Sequence, residues 1–169
     1  MNDDVNEIKK FHFLYRERKW NAGEEKYIGW ERKRGLLYTF NLYIKGKIKN
    51  DFIVNTLEKE KNIPDIKYII TLDSDTKLGF DTVKQMVGAM DHILYIPEYE
   101  ENNVVSGYGI MQPKIGVELD SFNKTLFTRL YSKQGGIDLY SQVGFDIYQD
   151  YFKEGIFTGK GIYNVDAFI

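Results

Sequence analysis

The chain of 169 residues has the size of one domain, and 23 basic against 25 acidic side chains give it a net charge of −2. It has no cysteine and only two histidines, His12 and His92, which excludes disulfides and thiolate zinc sites and leaves carboxylates to carry any metal. The balanced charge provides no overall attraction to nucleic acid, so we expect no nucleic-acid partner. No apolar run approaches the roughly 18 to 20 residues of a membrane span, and we expect this piece to be soluble.

The first part of the chain predicts a short strand, a loop and a helix. Residues 1–10 are polar and are expected to fray, whereas residues 11–169 are expected to form one partial domain. The apolar run 11–15 predicts a strand, and residues 16–24 read as a loop. Leu37, Phe40 and Ile44 recur at helical spacing, and Gly46 is placed to end that helix.

The strongest strand signal lies in residues 66–72, of which six of seven are aliphatic, Tyr or Thr. Such a run predicts a central strand that is buried in a largely parallel sheet. Residues 83–90 follow with an apolar stripe at helical spacing, and Asp81 is the candidate N-cap of that helix. A second strand, residues 104–112, is predicted to lie beside the first. The fold class is therefore α/β with three layers.

The central strand ends in Asp73-Ser74-Asp75, and two carboxylates at the end of a strand can turn toward a common point. Mg²⁺ and Mn²⁺ are held by one or two carboxylates and leave their other positions to water and phosphate, so the pair predicts a phosphorylated ligand. In open α/β sheets this edge is where ligands bind. From spacing alone, an ordinary Asx-type turn or helix cap is an equally good interpretation.

Three other polar segments have both an ordinary structural interpretation and a functional one. Residues 31–34 are a solvated charged turn or a diphosphate site built on Lys33 and Arg34. A helix would place Asp150 and Glu154 on one face, either as a functional pair or as two solvated carboxylates. Residues 155–163 hold three glycines around Lys160 but do not have the spacing of a Walker phosphate loop. After them Asn164 looks like an N-cap, and we expect the chain to be a piece of a longer polypeptide.

Six motifs follow one another along about residues 12–168: Trp20-Asn21-x-Gly23-Glu24, residues 29–35, Ile69-x-Thr71-Leu72-Asp73-Ser74-Asp75-Thr76, Met111-Gln112-Pro113, residues 136–141 and residues 148–168. As a set they resemble the glycosyltransferase domain of the cyclic β-1,2-glucan synthases. The resemblance implies a three-layer GT-A (nucleotide-diphospho-sugar transferase) fold, truncated at both ends. It also implies that the piece belongs to a larger membrane protein, at the cytoplasmic face of the bacterial inner membrane.

The resemblance implies a role for each matching residue. The domain would transfer glucose from UDP-glucose to a growing β-1,2-glucan with inversion, and the cofactor would be Mn²⁺ or Mg²⁺. The implied metal ligands are Asp73 and Asp75, the implied donor-binding residues also include Lys33, Arg34 and Gln112, and the implied acceptor-side residues are Thr158, Gly159 and Lys160. The expected partners are UDP-glucose, a β-glucan acceptor and the rest of the parent chain.

Two parts of such a transferase are expected to be missing. The strand that cups the uridine has no counterpart before Phe11, and the general base is expected beyond Ile169. Asp150 is a weaker candidate for the base, because it precedes the Gly-Lys-Gly stretch that the family's base follows. We therefore expect the isolated piece to show no measurable transfer.

Two other classes of protein are alternatives. A non-catalytic glucan-binding or interaction module could keep the fold, and the aromatic content of 15% is compatible with it. Phosphatases of the haloacid-dehalogenase type also place Asp-x-Asp at the end of a strand. They require Gly-Thr after the second Asp, whereas Thr76 and Lys77 follow here.

Overall fold

The computed structural model describes residues 10–60, 63–101, 103–113, 151 and 157–169. The chain divides into two compact units. The first contains residues up to Ile69, then Ile96–Gly109 and Tyr163–Ile169, and the second contains Ile70–Tyr95 and Ile110–Ile162. The N-terminal segment that we expect to fray lies, up to residue 9, outside the described residues.

The first unit begins with two short antiparallel strand pairs. Strand β1 (Leu14–Tyr15) pairs with β4 (Val54–Asn55), which a short 3-10 helix, Thr56–Lys59, follows. Strand β2 (Lys19–Asn21) pairs with β3 (Lys26–Ile28) as a hairpin. The predicted strand in residues 11–15 is confirmed in part, since β1 occupies its last two positions.

The hairpin occupies part of the loop that the sequence predicts for residues 16–24. Trp20 lies opposite Tyr27, and their ring centroids are 5.3 Å apart in an edge geometry, which is a stabilising cross-strand pair. The Asn21 Oδ1 accepts hydrogen bonds from the backbone N–H groups of Gly23 (2.9 Å) and Glu24 (3.0 Å). This Asx-type turn reverses the chain. The loop prediction was therefore wrong for Lys19–Asn21, because it gave no weight to the aromatic pair, and is confirmed for residues 16–18 and 22–24.

Helix α1 spans Arg32–Ile44 and confirms the helix predicted from Leu37, Phe40 and Ile44. Gly46 has a φ of 66°, which an L side chain rarely adopts, and its N–H donates to the Tyr43 carbonyl at 2.9 Å. The Lys47 N–H donates to the Leu42 carbonyl at 2.9 Å. These two bonds form a Schellman motif, so Gly46 ends the helix as predicted.

A three-stranded sheet has the order β5 (Tyr68–Thr71), β9 (Gly161–Asn164), β8 (Ile110–Met111). The strand predicted in residues 66–72 is confirmed as β5. Direct pairing with the second predicted strand is wrong, because β9 lies between β5 and β8. Among the described residues β5 lies at one end of this sheet, and its first three residues are half-buried. The three-layer GT-A fold stays a prediction.

The predicted strand 104–112 is divided at Gly107. Strand β7 (Asn103–Ser106) forms an antiparallel hairpin with β6 (Glu98–Glu100), and β8 follows as a separate strand. Gly107 has a φ of 77°, and a Cβ on it would collide with the backbone of Ile96 and lie 2.9 Å from the Cα of Pro97. The chain therefore turns where the sequence pattern predicted a continuous strand.

Helix α2 (Thr82–Met90) lies in the second unit and confirms the helix predicted after the acidic pair. Met86 and Met90 are buried, whereas Val83 and Val87 remain partly exposed. Asp81 occupies the N-cap position as predicted, but its backbone is left-handed and its side chain makes no capping hydrogen bond. Its carboxylate instead pairs with Lys84 at 3.4 Å.

The last two elements of the chain are β9 and a short helix that Asn164 caps. Asn164 caps helix α3 (Val165–Phe168) as predicted, because its Oδ1 accepts from the N–H groups of Asp166 (2.9 Å) and Ala167 (3.2 Å). Tyr163 is fully buried, and its hydroxyl donates to the Asn41 Oδ1 at 2.9 Å. Burial raises the pKa of Tyr163 to about 12.

Alkaline pH is expected to destabilise the fold through Tyr163. An unfolded tyrosine ionises near pH 10, whereas the buried Tyr163 holds its proton to about pH 12, so its contribution is complete below pH 10 and is lost as pH rises between the two values. Two pH units correspond to about 2 to 3 kcal/mol. The measurement is the free energy of unfolding against pH for the wild type and Tyr163→Phe.

The Tyr163→Phe variant should show a shallower alkaline decline than the wild type. Lys45 contributes in the same direction, because its hydrogen bond to Asp65 (2.9 Å), followed by that to Asp166 (3.1 Å), raises its pKa. The variant Lys45→Met is therefore the control, because it shows how much of the alkaline decline in stability comes from Lys45. Equal alkaline slopes in Tyr163→Phe and the wild type would contradict the prediction.

Candidate functional site

The acidic pair lies on a turn directly after β5, in the second unit. The Thr76 N–H donates to the Asp73 carbonyl at 3.0 Å, which closes a turn over Asp73, Ser74, Asp75 and Thr76. Asp73 is half-buried and Asp75 is exposed. The structure is therefore compatible with both interpretations of the acidic pair, an ordinary turn and a metal site, since the segment is a turn and it places two carboxylates beyond the end of a strand.

Lys160 lies at this turn. Its Nζ is 3.3 Å from the Asp73 Oδ2, and 28% of its side chain is exposed. Lys160 directly precedes β9, whose four residues are all buried, so a fixed strand positions the ammonium. The sequence assigned Lys160 to the acceptor side, whereas the structure places it against a predicted metal ligand.

Gln112 and Thr158 are joined by two hydrogen bonds in the same unit. The Thr158 N–H and hydroxyl both donate to the Gln112 Oε1, at 2.8 and 2.7 Å. Gln112 directly follows β8, so this side chain fixes the start of the segment that carries Lys160. Gly159, between Thr158 and Lys160 in the chain, has a φ of 83°, a conformation that favours glycine.

Gly161 has a packing role at the start of β9. A Cβ on this residue would collide with the Met111 carbonyl and lie 3.2 Å from the Cα of Gln112. The absence of a side chain thus lets β9 approach β8 closely. Backbone conformation explains why a glycine precedes Lys160, and close strand packing explains why a glycine follows it. Lys160 is the residue of this segment that places a charge at the acidic turn.

Two carboxylates and one ammonium can bind a dication and a phosphate group together. The oxygen donors fit Mg²⁺ or Mn²⁺, which take one or two carboxylates and complete their shells with water and phosphate oxygens. An ammonium is a compact point charge that also binds phosphate. Without a cation, Lys160 balances the charge of Asp73. A dication at Asp73 would therefore compete with Lys160 for the carboxylate.

Other residues predicted for the site belong to the first unit or lie outside the described residues. Lys33 and Arg34 are in the first turn of α1, in the first unit, and the Arg34 Nε pairs with the Glu31 Oε2 at 2.6 Å. These positions belong to a helix and not to the charged turn that the sequence indicated. Asp150, the candidate base within the chain, lies outside the described residues.

The first unit contains a pocket that the sequence does not predict. Its volume is about 250 Å³, and its lining includes Arg16, Trp20, Trp30 and Asp51. The pattern of residues 16–24 predicts a loop, and the interpretation of residues 29–35 depends on their charges and on their resemblance to the glucan synthases. The signal that could have indicated the pocket is the pair of tryptophans, since the chain has no others.

In the parts of the chain that the structure describes, no helix combines the length and the apolar character that crossing a membrane requires.

Comparison with known proteins relates the chain to a glucan synthase. No protein-family model matches it. It is 39% identical over 163 residues to the cyclic beta-(1,2)-glucan synthase NdvB of Rhizobium meliloti (strain 1021). The alignment covers 94% of this chain and 6% of that protein, so the chain spans a small part of its relative. The chain is therefore similar to one region of a cyclic β-(1,2)-glucan synthase, which supports the family that its motifs resemble.

Proposed function

We propose that the chain is part of an inverting glycosyltransferase domain of the GT-A type, which transfers glucose from UDP-glucose to a growing β-1,2-glucan. The identity to NdvB, whose name states the synthesis of this glucan, supports the reaction. The observation that carries the site assignment is the 3.3 Å contact between Lys160 and Asp73. It brings a cationic side chain to the acidic turn, and a diphosphate donor needs both.

In this proposal Asp73 and Asp75 bind Mn²⁺ or Mg²⁺. The cation, when bound, neutralises the diphosphate and stabilises the negative charge that develops on the UDP leaving group. The carboxylates alone would repel a diphosphate, so nucleotide binding should depend on the metal. Asp75 is exposed, which leaves its oxygens accessible to an incoming metal–nucleotide complex.

Lys160 belongs to the donor side in this proposal. With a dication at Asp73, the ammonium of Lys160 would donate a charge-assisted hydrogen bond to a phosphate oxygen of the nucleotide. Gln112 contributes by holding Thr158, so that the segment before β9 keeps its position. Thr158 and Gly159 remain proposed acceptor-side residues, and Lys33 and Arg34 remain proposed contacts of the nucleotide.

The relative is far longer than this chain, so the partner we propose is the rest of a larger parent polypeptide. We place that parent at the cytoplasmic face of the bacterial inner membrane, and the motifs that resemble cyclic β-1,2-glucan synthases support this placement.

Calorimetric titration of the chain with UDP tests the proposed function. With Mn²⁺ present we expect saturable binding, and with EDTA we expect binding to be lost, because two carboxylates cannot bind a diphosphate directly. A glucan-binding module without transferase ancestry should respond to β-1,2-glucan oligosaccharides and ignore UDP under both conditions. Metal-independent UDP binding, or none, would contradict the proposal.

A further inference from the structure

We propose that the pocket in the first unit binds one pyranose ring of a neutral β-glucan chain, through Trp20 and Trp30 together with Arg16 and Asp51. The choice of glucan as the ligand rests on the proposed function, but the pocket itself contains none of the residues assigned to metal or donor. Pockets for drug-sized ligands have volumes of about 300 to 1,000 Å³. A volume of about 250 Å³ therefore fits a group of single-ring size.

Two indoles contribute apolar surface to the lining of the pocket. Trp20 contacts the Tyr27 ring and Trp30 contacts the Tyr38 ring (centroids 6.3 Å apart), both in edge geometry. Each tryptophan is nevertheless 57% exposed. Buried aromatic surface contributes strongly to binding, and the C–H face of a pyranose is an apolar surface of matching shape. Tyrosine contacts limit the motion of both indoles, which reduces the entropy cost of binding a ring.

Arg16 provides fixed hydrogen-bond donors in the pocket. Its Nη2 donates to the Arg32 carbonyl at 2.8 Å. A Cβ at Gly29 would lie 2.5 Å from the same nitrogen, and a Cβ at Gly35 would lie 3.0 Å from the Nη1. The guanidinium therefore occupies the space beside the two glycines, and a side chain at Gly29 would displace it. The Arg16 side chain is held by the main chain and keeps other N–H groups for a ligand.

The charges of the pocket balance. Arg16 and Lys19 are positive, whereas Glu17 and Asp51 are negative, and all four line the pocket. The Lys19 Nζ lies 3.9 Å from the Glu17 Oε2. A diphosphate would meet two carboxylates with no surplus of positive charge. A neutral polyol gains from both signs, because its hydroxyl groups donate to the carboxylates and accept from the cations.

The two tryptophans allow a direct test by NMR, because they are the only tryptophans in the sequence and both line the pocket. The ¹⁵N-labelled chain is titrated with β-1,2-linked gluco-oligosaccharides, and the two indole N–H signals are followed. We expect both signals to shift saturably with millimolar affinity. Asp51→Asn and Trp30→Ala should each weaken the affinity about tenfold. Phe11→Ala, a change of an exposed aromatic residue of the same unit outside the pocket, should leave it unchanged.

The Asp73→Asn variant separates this proposal from the proposed function. Its indole shifts with oligosaccharide should equal those of the wild type, even when its binding of UDP in Mn²⁺ is lost. No shift with oligosaccharide, or indole shifts that UDP produces instead, would overturn the glucan pocket. If Asp51→Asn or Trp30→Ala loses its native spectrum, Trp20→Ala on the exposed hairpin replaces it, with Trp30 as the reporter. Unchanged affinity in Trp20→Ala would also overturn the proposal.

Discussion

Asp75→Asn is expected to weaken the binding of UDP in the presence of Mn²⁺ by about a hundredfold or more, which corresponds to at least about 2.8 kcal/mol. The substitution removes one of two charged oxygen ligands and leaves a neutral amide in its place. Asp75 is exposed, so the free energy of unfolding should change by less than about 0.5 kcal/mol. Calorimetry with UDP and Mn²⁺, together with a thermal melt, measures both quantities.

Asp73→Asn should lose UDP binding to a similar extent. It also breaks the contact with Lys160, but that pair is partly exposed, and such pairs contribute only about 0 to 1 kcal/mol to stability. Asp81→Asn is the matched control, because Asp81 pairs with Lys84 at 3.4 Å in the same unit, close to the 3.3 Å of the Asp73 pair. If all three variants bind UDP as the wild type does, the acidic turn does not hold the metal.

Local patterns predicted several elements of the fold. The apolar run before Asp73 forms β5, Gly46 ends α1 with a positive φ, and Asn164 caps α3 through its side chain. Each of these outcomes depends on the residues within one or two turns of the chain. Backbone geometry and short-range hydrogen bonds therefore decided them, and a sequence carries that information.

The order of the sheet could not be predicted in the same way. β9 lies between β5 and β8 although it comes last in the chain. Which strands become neighbours depends on the packing of segments that are far apart in sequence, and a periodic pattern does not encode it. The pattern of residues 104–112 predicts one continuous strand, whereas the close approach of Gly107 to Ile96 requires the chain to turn there.

The candidate site likewise combines a feature that the local sequence predicts with a contact that it does not predict. The turn that carries Asp73 and Asp75 follows from an apolar run that ends in two carboxylates. The resemblance implied an acceptor-side role for Lys160, and that role stays a prediction, whereas the contact of Lys160 with Asp73 was not predicted. Its contact with Asp73 joins the end of one strand to the start of another, and only the sheet brings them together.

Lys160→Met is expected to change two affinities in opposite directions. Without a ligand the ammonium pairs with Asp73, so a free Mn²⁺ ion has to displace it, and the variant should bind Mn²⁺ alone several-fold more tightly. With UDP present the same ammonium donates to a phosphate oxygen in our proposal. A hydrogen bond to a charged group contributes about 1.5 to 3 kcal/mol, so the variant should bind UDP with Mn²⁺ at least about tenfold more weakly.

The two measurements are free Mn²⁺ by electron paramagnetic resonance and UDP binding at saturating Mn²⁺ by calorimetry. Lys84→Met is the matched control, because it removes the lysine of the Asp81 pair and should change neither affinity. Lys160→Arg should restore UDP binding in part, since a guanidinium keeps the charge but differs in shape. A parallel loss of both affinities in Lys160→Met would assign the residue a structural role at Asp73. Two unchanged affinities would remove Lys160 from the site and leave Lys33 and Arg34 as the proposed cationic contacts of the nucleotide.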